Sequence, residues 1–365
     1  MKKKGNSTFK VRLLCAIVFV LFSYLYLSCY QADLLAVAQH ILSGGLTVYS
    51  YTFAPIIVTF VLFLLQLGVY ALTRVTKTFH GLTYFPSMLV LALITDIPDD
   101  VDRCQSLGAW AWVLPLLLIL YAGVMAIIKQ VEPYEPEVHA RHWLSKWTWM
   151  SLLQMVAMML LVVLVSNGNQ VFHARMKMEK LMTEGKYDEA LWVGKSMLES
   201  DSSLTMLRVA CLHRTDKMGD KLFSYPLVGG SKAMIPDSVT TKALLWKSPR
   251  WMHPAWIGKR GYKIPVDYQL CGMLMDKNLD KFVIEVQRKY NVTSGSLPKH
   301  YKEALMLYTH RRANPKLIYR NSVMEADFQD YQALEHKFVN PAEKQAALRD
   351  TYGNTYWYYY QYGNR

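Results

Sequence analysis

The sequence predicts an all-α protein in which about five transmembrane helices precede a soluble array of helix hairpins. Apolar residues make up 52% of the 365 residues and charged residues only 19%, whereas an ordinary soluble domain carries about 25% charged residues. Of the 41 basic and 28 acidic residues, 30 and 20 lie after residue 166. Apolar residues in that second part recur every three or four positions, as in amphipathic helices. These features exclude a single soluble enzyme domain, a disordered chain and a disulfide-rich miniprotein.

Five apolar runs in the first part of the chain are long enough to be membrane spans, since a helix needs about 20 residues to cross the bilayer core. The third run is the least regular, because its apolar core is short and opens with Pro86. It either spans with the help of residues 79–84 or is re-entrant. The predicted transmembrane domain covers residues 1–168, with helices near 12–30, 54–73, 80–97, 109–128 and 148–166.

The positions of the basic residues predict the orientation. Lys and Arg are concentrated in the N-terminal segment and in the loops after the second and fourth runs, whereas residues 31–53 contain neither. Basic segments are retained on the cytoplasmic side, so five spans predict a cytoplasmic N-terminus and a C-terminal domain across the membrane. Without the third span, the C-terminal domain would be cytoplasmic instead.

The spans contain almost no ionisable residues, which favours an anchor over a channel or transporter. An acidic run follows the third span. It could hold a hard cation such as calcium, but an acidic turn with a helix-capping aspartate is the favoured interpretation, and no metal is predicted. The weak candidate ligands are Asp96, Asp99, Asp100 and Asp102.

Residues 169–365 are predicted to form a tetratricopeptide-like helical domain. The run Gly185–Ala190 resembles the centre of that repeat, where a glycine makes the turn, an aromatic residue packs and a small residue admits the neighbouring helix. The repeats are degenerate, so an irregular helical bundle is the alternative. The first hairpin is expected to extend to Leu198. Further helices are predicted over 204–213, 218–223, 268–275, 279–290, from 297 onward, 322–338 and 341–351.

Two aromatic segments stand out in this domain. An irregular insertion over residues 226–265 is rich in Trp and Pro, and long loops in compact domains are usually functional or disordered. Its tryptophans could form a binding lip, fold back over the helices or rest on lipid. The aromatic run Tyr352–Tyr362 is expected to cap the end of the array, with a sugar-binding or peptide-binding platform as the alternative.

No catalytic motif is recognisable. The sequence has no G-x-S-x-G, P-loop, Rossmann glycine run or C-x-x-C, so neither a catalytic residue nor a cofactor is predicted. Cys211 and Cys271 could form a disulfide, although both lie on apolar helix faces. The positive charge of the second part fits anionic head groups, glycans or an acidic partner, rather than nucleic acid, in a domain outside the cytoplasm.

These features predict a scaffold anchored in the bilayer, whose helical domain binds a protein partner in the cell envelope. Helical arrays offer extended concave surfaces for such binding. The alternative is a membrane enzyme or enzyme subunit that acts on a lipid-linked or glycan substrate with the acidic run. Expected partner-binding residues are those near the hairpin turns and in the insertion: Tyr187, Trp192, Arg214, Trp246, Trp251 and Trp256.

Several runs together resemble an uncharacterised inner-membrane protein family of the Bacteroidota. They are the multi-span N-terminus, Gly185–Ala190, Gly219–Pro226, Leu297–Leu305 and Thr355–Tyr360. The resemblance implies a Gram-negative inner membrane with the helical domain in the periplasm, and it carries no activity. Lys277 and Asn278 depart from the pattern, because a small residue is usual at such a turn.

Overall fold

A computed structural model describes residues 6–75, 77–103, 108–131, 146–237, 240–252, 264–292 and 296–363. These residues form helices, turns and irregular segments, and no strand occurs among them, as predicted for an all-α chain. Contacts divide the chain into two compact units, residues 1–169 and 170–365.

Within its described residues, unit 1 has five helices that are long and apolar enough to cross a membrane: Phe9–Tyr30, Phe53–Thr73, Thr78–Thr95, Trp110–Val131 and Thr148–Val165. The prediction of about five such helices is confirmed. A shorter helix, which the sequence reading missed, occupies the loop after the first span. The bounds are α1 Asn6–Leu25, continued by a π-helical segment Tyr26–Tyr30, α2 Ala32–Leu42, α3 Phe53–Thr73, α4 Phe85–Thr95, α5 Trp110–Val131 and α6 Lys146–Val165.

The third span combines two kinds of helix. A 3-10 segment, Lys77–Tyr84, runs directly into α4, with Pro86 in the first turn of α4, where proline costs no hydrogen bond. The 3-10 segment packs closely on α6, because a Cβ added to Gly81 would lie 2.5 Å from the carbonyl oxygen of Ser151. Only glycine allows this approach.

Polar side chains inside unit 1 join its helices to one another. The buried Gln66 amide of α3 donates to the Thr83 hydroxyl at 3.1 Å, and the Ser87 hydroxyl of α4 donates to the Leu62 carbonyl of α3 at 2.7 Å. Such bonds are common between helices in membranes, where an unpaired polar group is costly. Gln66 is therefore a packing residue.

Unit 2 consists of ten helices among its described residues, packed around one apolar core. Most begin and end within a few residues of the predicted runs, because the three-to-four-residue apolar period marks their buried faces. The bounds are α7 Gln170–Thr183, α8 Tyr187–Ala190, α9 Ser202–Arg214, α10 Met218–Lys221, α11 Val266–Met275, α12 Leu279–Lys289, α13 Lys299–Arg311, α14 Ser322–Lys337, α15 Pro341–Tyr352 and α16 Tyr356–Tyr362.

Three hairpin turns in unit 2 share one backbone geometry. Gly185, Asp216 and Lys277 each adopt a left-handed conformation, with φ of 77°, 53° and 57°. In each turn two amides bond back to the preceding helix, as Gly185 does to Met182 and Lys186 to Leu181. This is the Schellman motif. The turns of α7–α8, α9–α10 and α11–α12 are therefore equivalent, although their residues differ.

The first hairpin is shorter than expected. Its second arm was predicted to extend to Leu198, but α8 ends at Ala190 and the chain then turns. The cause is Arg208 of α9, whose fully buried side chain forms hydrogen bonds with this segment. Its guanidinium donates to the Gly194 carbonyl at 3.0 Å and to the Ser200 hydroxyl at 3.2 Å, so residues 191–200 wrap the arginine instead of continuing the helix.

The aromatic C-terminal run, which is expected to cap the helical array, packs into the core of unit 2. Tyr356, Trp357 and Tyr359 are almost fully buried. The hydroxyls of Tyr356 and Tyr359 donate to the carbonyls of Leu274 and Met275, at 3.2 and 3.0 Å. These are the last carbonyls of α11, which lack partners within the helix.

Candidate interaction surface

Two of the predicted binding residues meet at the first two hairpin turns. Tyr187 begins α8 and is half-buried, whereas Arg214 ends α9 and is exposed. The Arg214 guanidinium carbon lies 6.0 Å from the centroid of the Tyr187 ring, at the limit of a cation–π contact. Lys217 and Asp188 form an ion pair at 2.5 Å beside them. The result is a mixed aromatic and charged surface.

Trp192 follows α8 and is 71% exposed. The Lys195 ammonium lies 4.4 Å from the centroid of its indole ring, and Leu198, six residues further on, is 72% exposed. Exposed tryptophans are typical of binding hot spots. We define the interaction surface as Tyr187, Trp192, Lys195, Leu198 and Arg214.

Trp246 does not belong to this surface. It was expected to be exposed in the insertion, and that expectation is wrong, because Trp246 is 7% exposed and lies in the core. A buried carboxylate of α7 holds it there. Oε2 of Glu179 accepts the backbone N–H groups of Leu244, Leu245 and Trp246, at 2.7, 2.6 and 3.1 Å.

Trp251 is half-buried beside the α9–α10 turn. Its ring lies 5.2 Å from that of His213 and 4.7 Å from that of Tyr268, both in edge-to-face geometry. Burial lowers the pKa of His213, which favours the neutral ring in this contact. Of the predicted residues, Trp256 lies outside the described part of the chain.

A buried polar network, which sequence reasoning missed, supports the interaction surface. Arg208 also donates to the Pro226 carbonyl at 2.8 Å. Burial lowers the pKa of Arg208 to about 10, so the guanidinium remains protonated at neutral pH. The neighbouring Arg175 pairs with Asp201 at 3.1 Å, and Asp201 caps α9 through the Leu204 amide. The network fixes the segment that carries Trp192.

The second predicted region, the acidic loop after α4, is held by hydrogen bonds. Asp96 accepts from the Trp110 indole at 2.7 Å. Both oxygens of Asp99 accept from side-chain amides, those of Asn167 and Asn169, at 2.9 and 2.8 Å. These bonds join the loop to the start of α5 and to the residues after α6.

The candidate cation site is not supported. Within the described part of the chain, no three His, Cys, Asp or Glu side chains approach closely enough to hold a metal ion. Asp96, Asp99, Asp100 and Asp102 are therefore not grouped as ligands. Their sequence proximity was misleading, because the turn points two of them towards Trp110 and the asparagines.

The two cysteines that were considered as a disulfide are separate thiols. Cys211 and Cys271 are both buried and free, and burial raises the pKa of Cys271 to about 12. The Cys271 sulfur lies 3.5 Å from the Tyr301 hydroxyl, which donates to Asp267 at 2.9 Å. These thiols are packing residues without nucleophilic character.

The fold and surface define an all-α protein with five helices able to cross a membrane and a separate helical unit. A profile of a family of unknown function, DUF6057, matches residues 260–363, which include α11 to α16. No curated protein and no solved structure matches the chain. The C-terminal part is thus similar to an uncharacterised family, which assigns no activity to it.

Proposed function

We propose that the protein is a membrane-anchored interaction protein. Five helices hold it in a bacterial inner membrane, and a tetratricopeptide-like unit in the periplasm binds a protein partner of an envelope assembly, secretion or surface-polymer system. The observation that carries this proposal is the exposure of Trp192. Of the tryptophans that the structure describes in unit 2, it alone is mostly exposed, and a rigid polar network supports it.

The chemistry of the surface favours an acidic partner segment with an apolar anchor. Trp192 and Leu198 offer apolar area. Lys195 places positive charge at the Trp192 ring, and Arg214 places it at the Tyr187 ring. The excess of basic residues after residue 166 has the same sign, and such charge speeds the encounter with an acidic surface. Aromatic residues and arginine dominate the binding energy of most protein interfaces.

The test compares partner capture by the tagged full-length protein and by the double variant W192A/R214E, both from gently solubilised membranes. We expect mass spectrometry to find one envelope protein in stoichiometric amount with the wild type. Truncating a hot-spot residue costs about 2 kcal/mol or more, roughly 30-fold in affinity. The double variant should therefore lose that protein.

A matched control changes one apolar and one basic residue elsewhere on unit 2. Ile318 is 57% exposed and Arg320 is also exposed, so I318A/R320E repeats the chemical change away from the surface. The control should retain the partner. Equal capture by the wild type and both variants would exclude this surface, and a wild type recovered without any partner would argue against the scaffold.

The geometry favours this function over an enzyme acting on a lipid-linked or glycan substrate. That alternative relied on the acidic loop as acid, base or metal ligand. Asp96 and Asp99 instead accept hydrogen bonds that hold the loop in place. A carboxylate engaged in this way is less available to exchange protons with a substrate.

A further inference from the structure

Unit 1 contains an apolar cavity of about 690 Å³, within the range of roughly 300–1,000 Å³ typical of ligand pockets. It lies among α4, α5 and α6. Most of its wall consists of aliphatic and methionine side chains, and those that define its shape are Leu89, Ala92, Val113, Leu117, Met158 and Leu161.

The cavity exists because α5 contacts its neighbours near both ends and stands away between them. Towards the C-terminal end of α5, the Tyr121 ring stacks on Phe85 with 5.1 Å between centroids, and Met125 and Ile128 are buried with Val75. At the N-terminal end, the Trp110 indole bonds to Asp96. The intervening turns leave space wide enough for a chain of methylene groups.

The rim of the cavity is acidic. Asp96 and Asp100 both border it, and the loop over residues 96–103 has four aspartates against one arginine. Trp110, also on the rim, is of the residue type that lies at membrane interfaces. An apolar interior below a negative, interfacial rim complements an acyl chain attached to a head group that ends in an ammonium.

We propose that this cavity binds one acyl chain of a phosphatidylethanolamine, with the ammonium of the head group at Asp96 and Asp100. The acyl chain supplies the apolar contacts that the separated helices do not make with one another. The ammonium pairs with the carboxylates in a region of reduced dielectric constant. Phosphatidylglycerol has the same kinds of chain but no ammonium to pair with the carboxylates, and its net charge is negative. This site is independent of the interaction surface on unit 2.

The test is native mass spectrometry of the full-length protein released from nanodiscs that contain equal amounts of phosphatidylethanolamine and phosphatidylglycerol. We expect one retained phosphatidylethanolamine per chain. Two variants fill the cavity from opposite walls: A92W from α4, where Ala92 is 5% exposed, and V113W from α5, where Val113 is 39% exposed. V113W keeps the test valid if A92W does not fold. Both should reduce retention about tenfold, as a loss of roughly 1.4 kcal/mol would.

Two further variants separate the tail from the head group. A71W places the same indole on an exposed position of α3 and should retain the lipid. D100K should keep a bound lipid but shift the preference towards phosphatidylglycerol. Retention of both lipids in proportion to their abundance, or unchanged retention in A92W and V113W, would overturn the proposal. A lipid-free dimer would show that a second copy covers the cavity.

Discussion

Glu179 shows how one side chain can fix a long loop. Its carboxylate is fully buried, and a single oxygen receives three consecutive backbone amides from residues that lie more than 60 positions later. Without it, the buried N–H group of Trp246 and the part-buried ones of Leu244 and Leu245 would lose this acceptor, at a cost of about 1–3 kcal/mol for a buried group. Glu179 therefore holds residues 244–246 of the insertion in place and accounts for the burial of Trp246.

Replacing Glu179 should loosen residues 244–246 selectively. In E179A the three amides lose their acceptor, so their hydrogen exchange in the full-length protein should accelerate roughly tenfold or more. E179Q retains a carbonyl oxygen and should keep most of the protection. Exchange measured by mass spectrometry on peptides that cover this segment checks both variants. Equal protection in E179A and the wild type would contradict the role assigned to the carboxylate.

The same residue should make this loop sensitive to pH. Burial raises the pKa of Glu179 above 4.5, although the backbone N–H bonds and Arg175 oppose the shift. Because the folded state holds the proton more tightly than the unfolded state does, the stabilisation is fully present below about pH 4.5 and is lost as pH rises through the folded pKa. Protection relative to E179Q, which cannot titrate, should therefore fall with rising pH.

The sequence predicts some of these residue roles and misses others. The positions of Tyr187 and Trp192 near a hairpin turn predict that they contact a partner, and both side chains retain exposed surface. The burial of Trp246 could not be read locally, because its acceptor lies 67 positions away. The burial of Arg208 was missed for a similar reason. In the sequence a buried arginine cannot be distinguished from an exposed one, because its carbonyl partners lie elsewhere in the chain.

At the level of helices and turns, Gly185 is the clearest test of the shared hairpin geometry. A Cβ at this position would meet no atom within 4 Å, so a substitution causes no clash. The φ of 77° is nevertheless unfavourable for any residue with a side chain, by about 1–2 kcal/mol. The turn thus requires glycine for its backbone and not for space.

G185A should therefore weaken the first hairpin by about 1–2 kcal/mol, measured as faster hydrogen exchange of the Lys186 amide, which bonds to the Leu181 carbonyl at 2.8 Å. D216G makes the opposite exchange at the equivalent turn and should be neutral or stabilising by up to about 1 kcal/mol. A neutral G185A would mean that the turn relaxes to another conformation.

Apolar periodicity locates most helices of unit 2 but does not determine their lengths. The arms α11 and α12 begin and end close to the predicted residues, because their apolar residues all face one core. The early end of α8 was not predictable from its own residues, because it depends on hydrogen bonds from Arg208, which lies on α9. Likewise, the left-handed conformation at residue 277 could not be predicted, because this position is a lysine and not the glycine that usually marks such a turn.

Considered as a whole, the molecule combines an apolar unit with a basic helical unit. The positive-inside rule with five spans predicts that residues near 138 are cytoplasmic and that residues after 169 are across the membrane. Alkaline phosphatase, which is active only outside the cytoplasm, should be inactive when fused after residue 138 and active when fused after residue 169. The reverse result would mean that the third span does not cross.

The number of helices long and apolar enough to cross a membrane could be predicted from the sequence, because a run of about 20 apolar residues leaves few alternatives. The cavity in unit 1 could not, since it depends on how far α5 stands from α4 and α6, and every helix involved is apolar along its whole length. For the interaction surface, the sequence predicted Tyr187, Trp192 and Arg214, but it did not predict the contact of Lys195 with Trp192 or the exposure of Leu198.

The C-terminal cap also has a consequence for the order in which the protein matures. The carbonyls of Leu274 and Met275 at the end of α11 accept hydrogen bonds from Tyr356 and Tyr359, 82 and 84 positions later, and Leu274 accepts a second one from the Lys277 amide of the turn. At about 5–20 residues per second of synthesis, some 4–16 s pass between the appearance of α11 and that of its partners. Until α16 is made, the surfaces of α11 and α13 that it contacts remain uncovered, and we expect chaperones to bind the nascent chain there but not the finished protein.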